Sequence, residues 1–202
     1  MIESYLKEIF ETAKAGDARE ESYYPALKSL LETWATETRK VWHVTQLPRR
    51  NEGGNPDFRI TQKNELVGYV EVKPPETEDL DRVEKTEQLR RYRSTFPNFI
   101  LTNFFEFRLY RNGELIKKVL IGRPFAVYKL KVIPPAENIP AFKELLEQFA
   151  SFATPRTATA QQLAVELAKR TRFLRDNVIA EELREARTDG RHPLTQIYGA
   201  FR

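Results

Sequence analysis

The order of periodic segments in this 202-residue chain predicts an α/β fold, a mixed β-sheet flanked by helices with a helical C-terminal extension. Three observations carry that expectation. Two amphipathic helical stretches open the chain. Short β-branched and aromatic runs, separated by turn signals and interrupted by one helical pattern, fill the middle. From about residue 137 onward the pattern is helical again.

Residues 2–14 place Tyr5, Leu6, Ile9 and Phe10 at helical spacing, and Gly16 ends that segment. Residues 19–37 read as a second helix, with Leu27, Leu30, Leu31 and Trp34 on one face and Pro25 near its start, where a missing N–H is tolerated. "KVWHVTQL" reads as a strand and "PRRNEGGNP" as a loop. "DFRIT" and "LVGYVEVK" are two further strands joined by the polar turn "QKNE". A helix follows from about Leu80 to Thr95. "NFILTN", "EFRLYRN", "ELIKKVLIG" and "PFAVYKLKVI" read as strands, with Asn112-Gly113 as a hairpin turn between the second and third. Residues 137–152 form a helix, and 158–187 a long one with Leu163, Leu167, Leu174 and Val178 at spacings of four and seven. The α/β domain is expected over 1–133 and the helical extension over 134–202.

Composition narrows the chemistry. Hydrophobic residues make up 41 % and aromatics 11 %, enough for a real core. A net charge of +4 permits a nucleic-acid partner without arguing for one. There is no cysteine, which excludes disulfides, thiolate metal sites and cysteine nucleophiles. His43 and His192 are the only histidines, too few for a zinc finger or an H-E-x-x-H protease. His43 reads as a strand residue near the core and His192 as a turn residue before Pro193. No signal peptide opens the chain and no apolar run approaches ~20 residues, so no membrane is expected and the cytoplasm is the default location.

The informative stretch is "NPDFRITQKNELVGYVEVKPP". Charged residues are costly in a buried strand, yet Glu71 and Lys73 sit in an apolar run. Strand alternation turns Tyr69, Glu71 and Lys73 to one face and Val70 and Val72 to the other. If the two strands pair as a hairpin, Asp57 comes beside Glu71. Two converging carboxylates with a main-chain carbonyl and waters make an oxygen site for Mg²⁺, with Mn²⁺ as the alternative. A lysine beside it can orient or deprotonate an attacking water and offset charge on phosphorus. Those are the parts needed to hydrolyse a phosphodiester.

Pro56-Asp57, thirteen residues, then Glu71-Val72-Lys73 resembles the PD-(D/E)xK nuclease superfamily, as does the core order of helix, strands, helix, strand. The resemblance implies a restriction-endonuclease-like fold. Gln88-Leu89-Arg90-Arg91-Tyr92 resembles the QxxxY element of the branch that includes RecB-type nucleases; side chains four apart share a helical face, so both can look back towards Lys73. In that branch a helical acid completes the metal site. Glu20, in "EESYYPAL", is the better match, with Glu21 as the alternative.

Residues 20–120 resemble the N-terminal nuclease domain of single-chain restriction-modification enzymes, the type ISP and fused type II groups. That implies Mg²⁺-dependent cleavage of double-stranded DNA. Asp57, Glu71 and Glu20 would be the metal ligands, with Lys73 and Gln88 as further catalytic residues. It also implies a downstream adenine methyltransferase, with a helicase in the type ISP group, and two copies meeting for a double-strand break. The chain is accordingly expected to be the N-terminal piece of a longer protein.

Each assignment has a plainer counterpart. An E-x-K triplet is common on exposed strands, Glu20 could be a first-turn acid favoured by the helix dipole, and Tyr92 could be a core residue. Arg49 and Arg50, with Gly53 and Gly54, could follow a DNA backbone or form a simple loop. Arg90, Arg91 and Arg93 could contact phosphates or line a solvated face, and Tyr92 beside them is a further DNA-contact candidate. Lys169, Arg170, Arg172 and Arg175 form a basic cluster equally suited to DNA or an acidic neighbouring domain. Rival readings of the whole are a non-cleaving DNA-binding or docking module and a stand-alone repair nuclease.

Overall fold

The structure is a computed structural model that describes residues 1–49 and 53–152, with Ala164, Leu167, Ala168, Thr171, Arg172 and Arg175 as single positions beyond them. Arg50, Lys169, Arg170, His192 and most of the expected helix over 158–187 lie outside the described residues.

Six strands form one sheet in sequential order: β1 (Trp42–Gln46), β2 (Phe58–Gln62), β3 (Glu65–Val72), β4 (Asn98–Thr102), β5 (Glu106–Arg111) and β6 (Glu114–Leu120). All neighbours are antiparallel except β3 and β4, which run parallel. A parallel pair cannot be joined by a tight turn. The crossover here carries α3 (Leu80–Val83) and α4 (Glu87–Thr95). Both two-residue hairpins turn through positive φ, at Lys63-Asn64 (48° and 65°) and at Asn112-Gly113 (50° and 86°), the backbone that matches strand twist.

Three longer helices cover the opposite face: α1 (Ile2–Lys14), α2 (Tyr24–Glu37) and α6 (Ile139–Ala150). Val70, Val72 and Ile100 point into this larger core with Leu27, Leu31, Trp34 and Phe149. Leu89, Tyr92, Phe96, Phe99 and Leu101 form a smaller core beneath α4, with Tyr69 packed against it. The fold is thus the mixed sheet flanked by helices expected from the sequence, in a restriction-endonuclease-like arrangement.

Three expectations change in detail. The helix expected over residues 19–37 begins as a 3₁₀ turn, Glu20–Tyr23, before α2 takes over with Pro25 in its first turn. The helix expected from Leu80 to Thr95 is two helices, because Thr86 caps the second: its hydroxyl oxygen accepts from the Leu89 N–H and its proton goes to the Val83 carbonyl. The strand expected at "PFAVYKLKVI" is not one. Pro124 opens a short helix, α5 (Pro124–Tyr128), and 129–133 leave the sheet.

The boundary also moves. The first compact unit is Met1–Thr154 and the second is Pro155–Arg202, in place of a division at 133/134. The cause is α6, whose Phe142, Leu145, Leu146 and Phe149 are fully buried in the larger core. Burial of each such side chain contributes about 1.5–3 kcal/mol. Gly68 lets α6 approach: a Cβ there would stand 2.6 Å from the Phe149 ring and from the Asn98 carbonyl. Asn98 then donates its amide hydrogens to the carbonyls of Val67 and Phe149, both at 2.8 Å.

Candidate active site

The strand register places Asp57. Phe58 pairs with Val70, so the residue before Phe58 lies beside Glu71. Asp57 itself precedes β2 and is not part of it. Since β2 begins only at Phe58, opposite Val70, the Val72 N–H lacks a ladder partner on that side. Asp57 Oδ2 accepts it at 2.7 Å. Asp57 Oδ1 accepts the Tyr24 hydroxyl, also at 2.7 Å. The carboxylate is thus gripped by one donor on each oxygen.

Glu71 is the most deeply buried acid of the site, 2 % exposed. Its Oε1 accepts from Lys73 Nζ at 2.7 Å and from Gln88 Nε2 at 3.0 Å. Lys73 lies just past β3, where its N–H continues the pairing with β4 through the Thr102 carbonyl (2.8 Å). Its ammonium also donates to Gln88 Oε1 at 3.2 Å. Gln88 therefore joins both charged groups, and it donates further to the Tyr92 hydroxyl at 3.3 Å. Gln88 meets Lys73 from α4; Tyr92, four residues on, shares its side of the helix, but its ring is buried against Phe96 and Phe99, which leaves it no open face for DNA.

The position of α4 is itself enforced. Glu84, at the end of α3, accepts from the buried Arg108 and from the Tyr110 hydroxyl on β5. Arg93 donates twice to the Gly113 carbonyl, at 2.8 and 3.1 Å, tying α4 to the β5–β6 hairpin. That engagement removes Arg93 from the residues free to meet a phosphate. Arg91 is also engaged, donating to the Gly53 carbonyl at 3.1 Å, while Arg49 and Arg90 are exposed. His43 is exposed on β1, not near the core as expected.

Glu20 is set apart from the other acids. Its carboxylate meets the Tyr24 hydroxyl at 3.2 Å, so a single hydroxyl stands between Glu20 and Asp57. Glu21 is exposed. Among the described residues, no three His, Cys, Asp or Glu side chains form a ready-made cage for an ion.

Crowding of acids is visible in their proton affinities. Burial, with the Asp57 charge adding to it, pushes Glu71 up to about 8 despite Lys73. Burial and then Asp57 likewise raise Glu20. The Tyr24 hydroxyl is raised by burial and by its hydrogen bond to Asp57, so it is a donor at any working pH.

The donor set fits a hard divalent cation. No donor is aimed at the buried Oε2 of Glu71: the neutral acid can share its proton with Asp57, but the ionised form has nothing to offset its charge there. A cation shared with Asp57 would satisfy it and relieve the repulsion between the two acids. Two site features were not foreseen from sequence. Tyr24 lay within the quoted "EESYYPAL" but is not a metal-ligand type, and the Val72 N–H carries no side-chain signal.

No family model matches the chain, and no curated protein matches it. Among solved structures it resembles a DrdV–DNA complex determined by cryo-EM, with 23 % sequence identity and a TM-score of 0.55. The match covers 76 % of this chain and 14 % of that one. That likeness bears on the fold alone: a mixed sheet flanked by helices.

Proposed function

We propose that the chain is a Mg²⁺-dependent DNA endonuclease domain of a restriction-modification enzyme. The observation that carries this reading is the cluster itself. Two carboxylates lie side by side, one with a bare buried oxygen, and a lysine is clamped between the deeper carboxylate and a glutamine. A surface ion pair would not be built this way, since burial of unpaired carboxylate oxygen is costly without a ligand. DNA as the substrate draws on the likeness to the DrdV–DNA complex, and the net charge of +4 is compatible with it.

Asp57 and Glu71 would hold the ion, with Glu20 supporting them and Mn²⁺ as an alternative to Mg²⁺. When bound, the ion would polarise a phosphoryl oxygen and lower the pKa of an attacking water. The chain's own residues do the rest. The Tyr24 hydroxyl and the Val72 N–H fix the Asp57 carboxylate. Gln88 and Glu71 take two of the three N–H donors of Lys73, which leaves one for a water or a phosphoryl oxygen. That donor orients the nucleophile and stabilises charge as it grows on the phosphate. One site cuts one strand, so a double-strand break needs two copies. A downstream methyltransferase, with or without a helicase, would complete the parent enzyme.

The test is nicking of supercoiled plasmid. The wild-type chain is expected to nick with Mg²⁺ and to stop with EDTA, and Asp57→Ala is expected to lose cleavage. Metal-independent nicking, or an Asp57→Ala variant as fast as wild type, would refute the reading. DNA binding without nicking by the wild type would favour a non-cleaving docking module.

A further inference from the structure

Tyr24 has no part in the site as read from sequence, yet it touches two of its acids. Its ring is 3 % exposed and packs on Phe58, with centroids 5.0 Å apart, so the core holds it in place. Its hydroxyl reaches Asp57 Oδ1 at 2.7 Å and Glu20 Oε1 at 3.2 Å. A phenol has one proton to donate. The shorter contact makes Asp57 the main acceptor, and Glu20 Oε1 accepts the same proton as the weaker branch of a bifurcated bond. Because the Val72 N–H takes the other oxygen of Asp57, losing the hydroxyl would free that carboxylate to turn. It would also cut the one hydrogen bond that keeps Glu20 near the site among the described residues.

Resting on the nuclease reading, we propose that Tyr24 is a positioning residue of the cation site. Its hydroxyl holds Asp57 in orientation and keeps Glu20 beside the ion as an outer supporting charge, not as a direct ligand. Residues that orient metal ligands typically change metal affinity or activity by about 10- to 100-fold when removed. Tyr24→Phe removes the hydroxyl and leaves the ring against Phe58.

The experiment titrates Mn²⁺ alone into the DNA-free full chain by calorimetry and measures plasmid nicking against Mg²⁺ concentration, with thermal melting to report folding. Tyr24→Phe is expected to bind Mn²⁺ about 10- to 100-fold more weakly. It should need correspondingly more Mg²⁺ for half-maximal nicking, with KM for plasmid unchanged. Glu20→Gln retains an acceptor for the hydroxyl and should lose less than Asp57→Asn. Tyr24→Phe binding Mn²⁺ as wild type does, or Glu20→Gln losing as much as Asp57→Asn, overturns the proposal. Should Tyr24→Phe fail to melt cooperatively, the Glu20→Gln and Asp57→Asn comparison decides alone. A wild type that binds Mn²⁺ while Tyr24→Phe matches it sinks this inference only. A wild type that neither binds Mn²⁺ nor nicks removes the nuclease reading and this inference together.

Discussion

At the scale of single residues, Glu71 makes the site measurable without DNA. Its ordinary value is 4.5 and burial beside Asp57 pushes it up to about 8. The folded protein therefore keeps a proton that the unfolded chain gives up. Below about pH 4.5 the two states hold it equally, and as pH rises towards 8 the folded state loses relative stability. A cation takes the ionised form, so binding releases that proton, and affinity rises with pH until it levels off above about 8. In scanning fluorimetry, stabilisation by Mg²⁺ should grow between about pH 6 and 8.5. Glu71→Gln should melt higher than wild type in EDTA at the upper pH and lose the Mg²⁺ response. A Mg²⁺ shift unchanged in Glu71→Gln would contradict this assignment. The juxtaposition of Asp57, Glu71, Lys73 and Gln88 was legible because strand alternation, hairpin register and i,i+4 spacing each dictate direction. Tyr24 was not, because the reach of a phenol from the start of one helix to a distant strand has no local signature.

At the scale of elements, close packing of α6 on the sheet depends on Gly68. A methyl group there meets the Phe149 ring and the Asn98 carbonyl at 2.6 Å, and the carbonyl belongs to a fixed strand. Gly68→Ala should cost about 1–3 kcal/mol in urea denaturation, as overpacked cores do. A loss near zero would mean that α6 can ride up without penalty. Strands β1 to β6 were legible from composition, alternation and turns, notably Asn112-Gly113. Residues 124–133 were not: "PFAVY" has strand composition, and the proline at the first helical position outweighed it. The split between α3 and α4 was hidden because Thr86 interrupts neither charge nor periodicity. Only its capping bonds reveal it.

At the scale of the molecule, the extent of the domain follows from what α6 covers. A chain ending at Thr154 keeps the whole first unit and should unfold cooperatively. One ending at 133 would uncover the side of the core filled by Phe142, Leu145, Leu146 and Phe149, and should fail to fold. Circular dichroism melts of the two fragments check this directly. The boundary was illegible in sequence because an amphipathic helix after a strand-rich region looks the same whether its apolar face meets this core or another.

The cluster around Lys73 gives the most direct test of the chemistry. Lys73→Ala removes the donor held between Glu71 and Gln88 but leaves both carboxylates, so Mn²⁺ should bind at least as tightly as to wild type. Plasmid nicking with saturating Mg²⁺ should nonetheless fall by about 10²-fold or more, the usual loss when a positioned acid–base or charge-stabilising group is removed. A Lys73→Ala chain that binds Mn²⁺ and nicks at the wild-type rate would contradict the account.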